Sequence, residues 1–417
     1  MSNDITRFDK YLTCAGPAAL VIREYLVPVE GPDGVLFPPT FASGDGFPGG
    51  YNIDGETNDE KIALIDTVGA QSNRIEPMFT EPSYAELVPQ VVIRAGAKFV
   101  NLLQASHRAG DAIVRCTPLQ VKLEAAFKNL LDGDATALAK IAPTSLVFGV
   151  WDSRNTQAKM PRLIASTIRA YNVRRLTRHA QFNPTMDYVA EGILTEPEDL
   201  RDSEGKVIGK HPFAQRGFTH VPITKKENTH GGVIADGGIR RDATLALAAL
   251  TLIKAGSDKE ATQRLQRYIL GLALVAFTRP PGGYIRQGTL LVSDNRENKG
   301  RKAEEVYPNG KREPFCFTHD QALEFAKEAA KEFGVGPDPD PDTEVAKESG
   351  VGPASEQKKG KPIKFEKNKE GVIRCEVVFD AKLAEADLKE AKGATKPKKP
   401  KKGKVQAMAP TNEASSQ

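Results

Sequence analysis

The stretch AALVIREYLVPV, residues 18–29, is rich in Val, Leu, Ile and Tyr, short enough for one strand, and ends against Pro28. It predicts that the chain opens a sheet, and the rest is placed outward from that strand. Residues 31–55 are dense in Gly, Pro and Asp and keep no period, which predicts a loop or insertion. From Asp59, DEKIALIDTVGAQSNRIEPMF sets Ile62, Ile65 and Val68 at helical spacing with acidic residues first and Pro77 near the end. A helix closing on a polar cluster is predicted there. VVIRAG (91–96), a helical stretch over 121–131 and the apolar run LVFGVW (146–151), read as a buried strand, make the pattern mixed α and β.

After Pro161, RLIASTIRAYNVRRLTRH suits a strand and its exit loop, with Arg162, Arg169, Arg174, Arg175 and Arg178 making the polar side positive. Residues 211–241 are too long to serve as a connection only. Helices are predicted over 242–254, 259–277 and 319–333, and a strand over 282–292. Residues 334–362 collapse to Pro, Gly, Asp, Glu and Lys, the composition of a flexible loop. Strand character returns in 363–383, read as a hairpin rejoining the main sheet. Residues 384–417, with KPKKPKKGK at 396–404, read as a disordered basic tail. The folded body is then 1–333.

A chain of 417 residues with 40% hydrophobic and 27% charged residues has the composition of a soluble globular protein, and no apolar run is long enough to span a bilayer. The N-terminus MSNDITRFDKYL lacks the basic and apolar regions of a secretory signal, so a cytoplasmic location is predicted. Cys14, Cys116, Cys316 and Cys375 are scattered with no CxxC pair, which predicts buried free thiols rather than a zinc site or disulfide framework. The net charge of +4 is small, so local patches decide what the surface binds.

Two polar clusters stand out. Gln71, Ser72, Asn73 and Arg74 combine amide, hydroxyl and guanidinium groups suited to phosphate and sugar oxygens. The alternative is a helix C-terminus whose polar groups cap carbonyls, with Arg74 paired to Glu76. In FGVWDSRNTQAKMPR (148–162) an apolar run gives way to Asp152, Ser153, Arg154, Asn155, Lys159 and Arg162. Trp151, the one tryptophan, is either a base-stacking ring or core, and the apolar run around it favours core. Asp152 either pairs with Arg154 or orients another arginine, or it belongs to an ordinary turn with a local salt bridge. His107 and His179 each lie beside an arginine, yet no spacing ties them into an acid–base pair, and no HxH, HExxH or carboxylate cluster suggests a metal. No catalytic residue, metal or cofactor is predicted. GGVIADGG implies a mobile loop or tight turns around Asp236.

LIDTVGAQSNRIEPMF (64–79), LVFGVWDSR (146–154), PRLIASTIRAYNV (161–173) and GG…DGGIRRDATLALAAL (231–250) resemble, in order, the blocks of the CRISPR-associated RAMP superfamily. The similarity is to the backbone subunit of type I-G (formerly I-U) Cascade-like effector complexes, and it covers roughly 18–292. The resemblance implies an α+β fold: an RRM-like, ferredoxin-like βαββαβ palm with large finger and thumb insertions. It implies a crRNA-binding protein, not an enzyme, that stacks head to tail with copies of itself and other effector subunits, and presents guide RNA to target DNA in antiviral defence. Gln71, Asn73 and Arg74 then fall on the helix that grips guide phosphates, and Ser72, Ser153, Arg154, Lys159, Arg162, Arg169 and Arg240 complete the RNA-binding set. Residues 211–238 become the thumb, with Phe218, Val221 and Ile223 as apolar wedges beside Lys225, Lys226 and His230. Two competitors stay open: a metal-independent CRISPR endoribonuclease on the same fold, and a generic RNA-binding module.

Overall fold

Strict alternation of buried and uncovered side chains organises the central sheet. In β1 (Ala19–Pro28), Leu20, Ile22, Glu24, Leu26 and Pro28 are buried and none of the residues between them is. A computed structural model describes residues 5–57, 59–178, 181–222, 230–279, 282–297, 299–336 and 363–394. Along the chain follow β2 (Ile62–Asp66), α1 (Val68–Ile75), β3 (Gln90–Ala95) and β4 (Lys98–Asn101). Next come α2 (Gln120–Leu131), α3 (Thr136–Ile141), α4 (Thr144–Phe148), β5 (Ile164–Tyr171) and β6 (Val173–Arg175). The second half holds β7 (Val233–Ala235), β8 (Ile239–Ala246), α5 (Lys259–Thr278), β9 (Thr289–Ser293), β10 (Lys302–Val306), α6 (His319–Phe333), β11 (Ile373–Val378) and α7 (Ala381–Ala394).

The main sheet runs β9-β1-β8-β5-β2, with every neighbouring pair antiparallel. The outer edge of β1 is shared, because Leu26–Pro28 pairs with β9 while Ala19–Arg23 pairs with β10. Helices α1 to α4 lie in the connection from β1 to β5, and α5 in the connection from β8 to β9. From Leu265 onward every residue of α5 is buried. Tyr268 of α5 stacks on Phe333 at 4.7 Å and donates its hydroxyl to the Leu87 carbonyl at 2.8 Å.

The covered face of the sheet holds two cores rather than one. Leu20, Ile22, Ile164, Ala243 and Leu245 pack into the larger, whereas Leu26, Ile168, Ala170 and Ile239 join Leu36, Val233 and Leu291 in the smaller. At the changeover each of β1, β8 and β5 contributes one buried polar residue: Glu24, Arg241 and Ser166. Arg241 Nε donates to Glu24 Oε2 at 2.9 Å, so the seam is closed by a buried ion pair. Burying that charge pulls Arg241 below the ordinary arginine value, against the attraction of Glu24.

Several sequence readings are corrected. Residues 62–66 form a strand, not a helix; Ala63 and Ile65 are buried in alternation, and the helix begins only after Thr67 caps Ala70. Residues 146–148 belong to α4, whose five residues are all buried, so the run carries no period to separate helix from strand. Gly149, at φ +81°, ends it. Residues 242–246 continue β8, and only the short turn Leu247–Leu250 after them is helical. The 363–379 hairpin does form, through Glu366–Lys367, but β11 lies parallel to β3 in a separate sheet with β4, not in the main one. Residues 384–394 are helical within α7, which Arg115 holds through Asp387 at 2.9 Å. The loop 337–362 and the lysine run lie outside the described residues. Cys116 and Cys375 are buried, but Cys14 and Cys316 are exposed.

Candidate nucleic-acid interface

Asp66 ends β2 fully buried, and the chain then turns into α1. Its carboxylate organises the first polar cluster. Gln71 Nε2 donates to Asp66 Oδ2 at 2.6 Å and Arg74 Nε to the same oxygen at 3.0 Å, while Arg286 Nη2 reaches Oδ1 at 3.2 Å. Gln71 Oε1 in turn accepts from Ser166 Oγ at 2.9 Å, which joins α1 to the polar seam. Burial, with Arg74 nearby, lowers the Arg286 pKa despite Asp66. Gln71 and Ser72 are therefore spent inside the protein, Ser72 on the Val68 carbonyl at 2.9 Å. Asn73 and Arg74 are the members of the set that reach solvent.

Glu76 does not pair with Arg74. It accepts from Arg108 Nε at 2.6 Å, and Arg108 Nη1 donates to the Gly149 carbonyl at 3.2 Å with its guanidinium 5.4 Å from the Phe148 ring. Burial pushes the Glu76 carboxyl up to about 7, outweighing the pull of Arg108. This pair ties the end of α1 to the second cluster. There Val150 and Trp151 pair with Met160 and Lys159 as a two-residue ribbon. Asp152 is buried and closes the turn by accepting from Thr156 N at 2.9 Å and Thr156 Oγ1 at 2.7 Å, so its partner there is a threonine rather than an arginine. Ser153 is half-buried, and Arg154, Lys159 and Arg162 are exposed. Trp151 is 56% exposed, not core, because alternation in so short a strand turns Val150 inward and the indole outward. Lys159 Nζ lies 5.6 Å from its ring.

Arg169 and Arg240 sit directly opposite each other on β5 and β8. Both belong to the face opposite Ser166 and Gln71, since successive strand residues point to opposite sides. None of the side chains on that face of β1, β2, β5 and β8 is buried. Tyr171 lies under Arg240 at 4.8 Å and Tyr25 under Lys299 at 4.9 Å. Asp242 accepts from Arg240 Nε at 2.9 Å and from Arg23 Nε at 3.4 Å, and Arg169 Nη1 donates to Thr167 Oγ1 at 2.6 Å. Burial alone would lower the Arg240 pKa, but the Asp242 carboxylate raises it. The result is an open sheet face where guanidiniums and an ammonium alternate with two tyrosine rings. Such a face has the chemistry to offer cations to phosphates and rings to bases. Arg23, Tyr25, Tyr171, Asp242 and Lys299 were missed in the sequence, although REY and IRAY already place these types on alternate positions.

The insertion between β5 and β8 spans 172–238, so the predicted thumb at 211–238 is only its returning half. β6 pairs with β7, and farther out Gln181–Phe182 pairs with Val221–Pro222. The Phe218 ring is not a free wedge: it meets Tyr188 at 5.4 Å and Phe213 at 6.0 Å. His230 packs on Tyr51 of the 31–55 insertion at 4.8 Å, and burial with Arg175 nearby lowers its pKa. Ile223, Lys225 and Lys226 lie outside the described residues, as does His179; His107 is exposed. Among the described residues no group of three or more His, Cys, Asp or Glu side chains is arranged to hold a metal, and no helix is long and apolar enough to cross a membrane.

Residues 20–175 match the family described as CRISPR-associated protein GSU0053. That span runs from β1 to β6 and includes both polar clusters. The match connects the chain with CRISPR-associated proteins. No curated protein matches it.

Proposed function

We propose that this chain is the crRNA-binding backbone subunit of a type I-G CRISPR effector complex, a positioning protein that lays guide RNA out for pairing with target DNA. The CRISPR-associated match supports the setting. Strand order supports the fold: with β1, β5, β8 and β9 taken as the four strands of a βαββαβ unit, their order in the sheet is fourth, first, third, second. α2 to α4 then fill the first crossover and α5 the second, as in a ferredoxin-like palm. The insertions 31–55 and 172–238 take the finger and thumb positions.

The observation that carries the reading is the open sheet face with Arg23, Arg169, Arg240 and Lys299 around Tyr25 and Tyr171. Phosphate neutralisation and ring stacking are indifferent to base identity, so specificity is left to the guide's pairing with DNA. Neighbouring copies and other effector subunits complete the assembly. The Arg169→Ala/Arg240→Ala double variant tests this. It is expected to weaken guide-RNA binding equally for unrelated sequences and to flatten the dependence of log K on log salt by about 1 to 1.5, the effect of two lost phosphate contacts. An unchanged slope overturns the role of this face. Guide precursor is expected to stay intact with or without divalent metal, and cleavage abolished by His107→Ala would favour the endoribonuclease instead.

A further inference from the structure

We infer that Trp151 is a stacking platform for one unpaired RNA base, separate from the open sheet face. This rests on the RNA-binding reading and adds a contact to it. The indole is the single tryptophan of the chain and is 56% exposed, although tryptophan is a residue whose burial returns much apolar area. Among the described residues no aromatic ring stacks on it.

Its mount is rigid. Val150 is buried beneath it, the ribbon pairs Trp151 with Lys159, and buried Asp152 closes the turn onto Thr156. Gly110 packs so close that a Cβ there would come within 2.9 Å of the Trp151 carbonyl oxygen. A ring held this way loses little freedom when a flat partner settles on it. The surroundings choose the partner. Lys159 lies over the ring at 5.6 Å, and Arg154 and Arg162, both exposed, belong to the same short segment. The carboxylate in the turn, Asp152, is buried and spent on Thr156. An indole with an ammonium over its face, in a segment that carries two exposed arginines, suits a π-face attached to phosphates: a nucleobase in a single strand.

One tryptophan makes the test direct, because all tryptophan emission of the full-length chain reports this ring. The probes are an unstructured single-stranded RNA and an abasic strand of the same backbone, each also followed by anisotropy of an end label. Quenching is expected with the intact RNA, saturating together with binding, and none with the abasic strand even where it binds. Trp151→Ala should weaken the intact RNA about tenfold, in line with one lost base stack, leave the abasic strand unchanged, and be rescued by Trp151→Phe. RNA that binds without quenching, or with an affinity that Trp151→Ala does not change, overturns the stacking site while RNA binding stands. A change in emission driven by protein concentration without RNA shows instead a contact between copies and also overturns it. If neither strand binds, both this inference and the RNA-binding reading fall.

Discussion

Three side chains donate to the Asp66 carboxylate, which has no exposure of its own. A buried carboxylate is tolerated only while its partners remain, and the partners depend on it equally. Asp66→Ala is therefore expected to cost about 3–5 kcal/mol, because Arg286 and Gln71 lose their acceptor inside the protein. Arg74→Ala should cost less, since Gln71 and Arg286 stay in place. Urea denaturation of the two variants checks the ranking, and equal midpoints would refute it. The network also shows where residue-level reading stops. Gln71 to Arg74 is visible as a polar cluster, but that Gln71 faces inward follows from Asp66 and Ser166, and Ser166 lies 95 positions away. Likewise Glu76 sits two residues from Arg74, yet finds its partner in Arg108, 32 positions on. Pairing at such distances leaves no local pattern.

Elements with a long, clean period were legible, and short apolar runs were not. β1, α5 and α6 stand where the pattern places them, α6 with a capping box between Thr318 and Gln321. Residues 62–66 and 146–148 were inverted, because runs of three to five apolar residues satisfy either period and neighbours decide. Trp151 failed differently: its sequence context is apolar, but only two residues of that context form the strand that aims it. The α5–α6 contact allows a sharper test. A Cβ on Gly271 would lie 2.8 Å from the Cα of Ala326, a backbone atom that cannot swing aside. Gly271→Ala, which improves helix propensity in isolation, is expected to destabilise the protein by about 1–3 kcal/mol through forced separation of the helices. A variant as stable as the parent in thermal unfolding would show that the two helices can slide apart at no cost.

Across the whole molecule, the sheet presents one face to the cores and the other to solvent, and the residues proposed to bind RNA are divided between them. Arg169 and Arg240 lie on the open face; Arg74 emerges from a network rooted in the covered one. The long arm over 172–238 leaves the sheet between β5 and β8, and its exposed Phe182, Met186, Ile193 and Ile208 give it an apolar surface. In the head-to-tail array proposed above such an arm would reach the next copy, and an interface of that kind does not close on itself. Copy number should then be set by the RNA. The decisive measurement is native mass spectrometry of the full-length chain assembled on guide RNAs of increasing spacer length. Subunits are expected to be added in regular steps as the spacer lengthens; a number of bound copies that stays constant while the RNA grows would show that the chain forms no RNA-templated array.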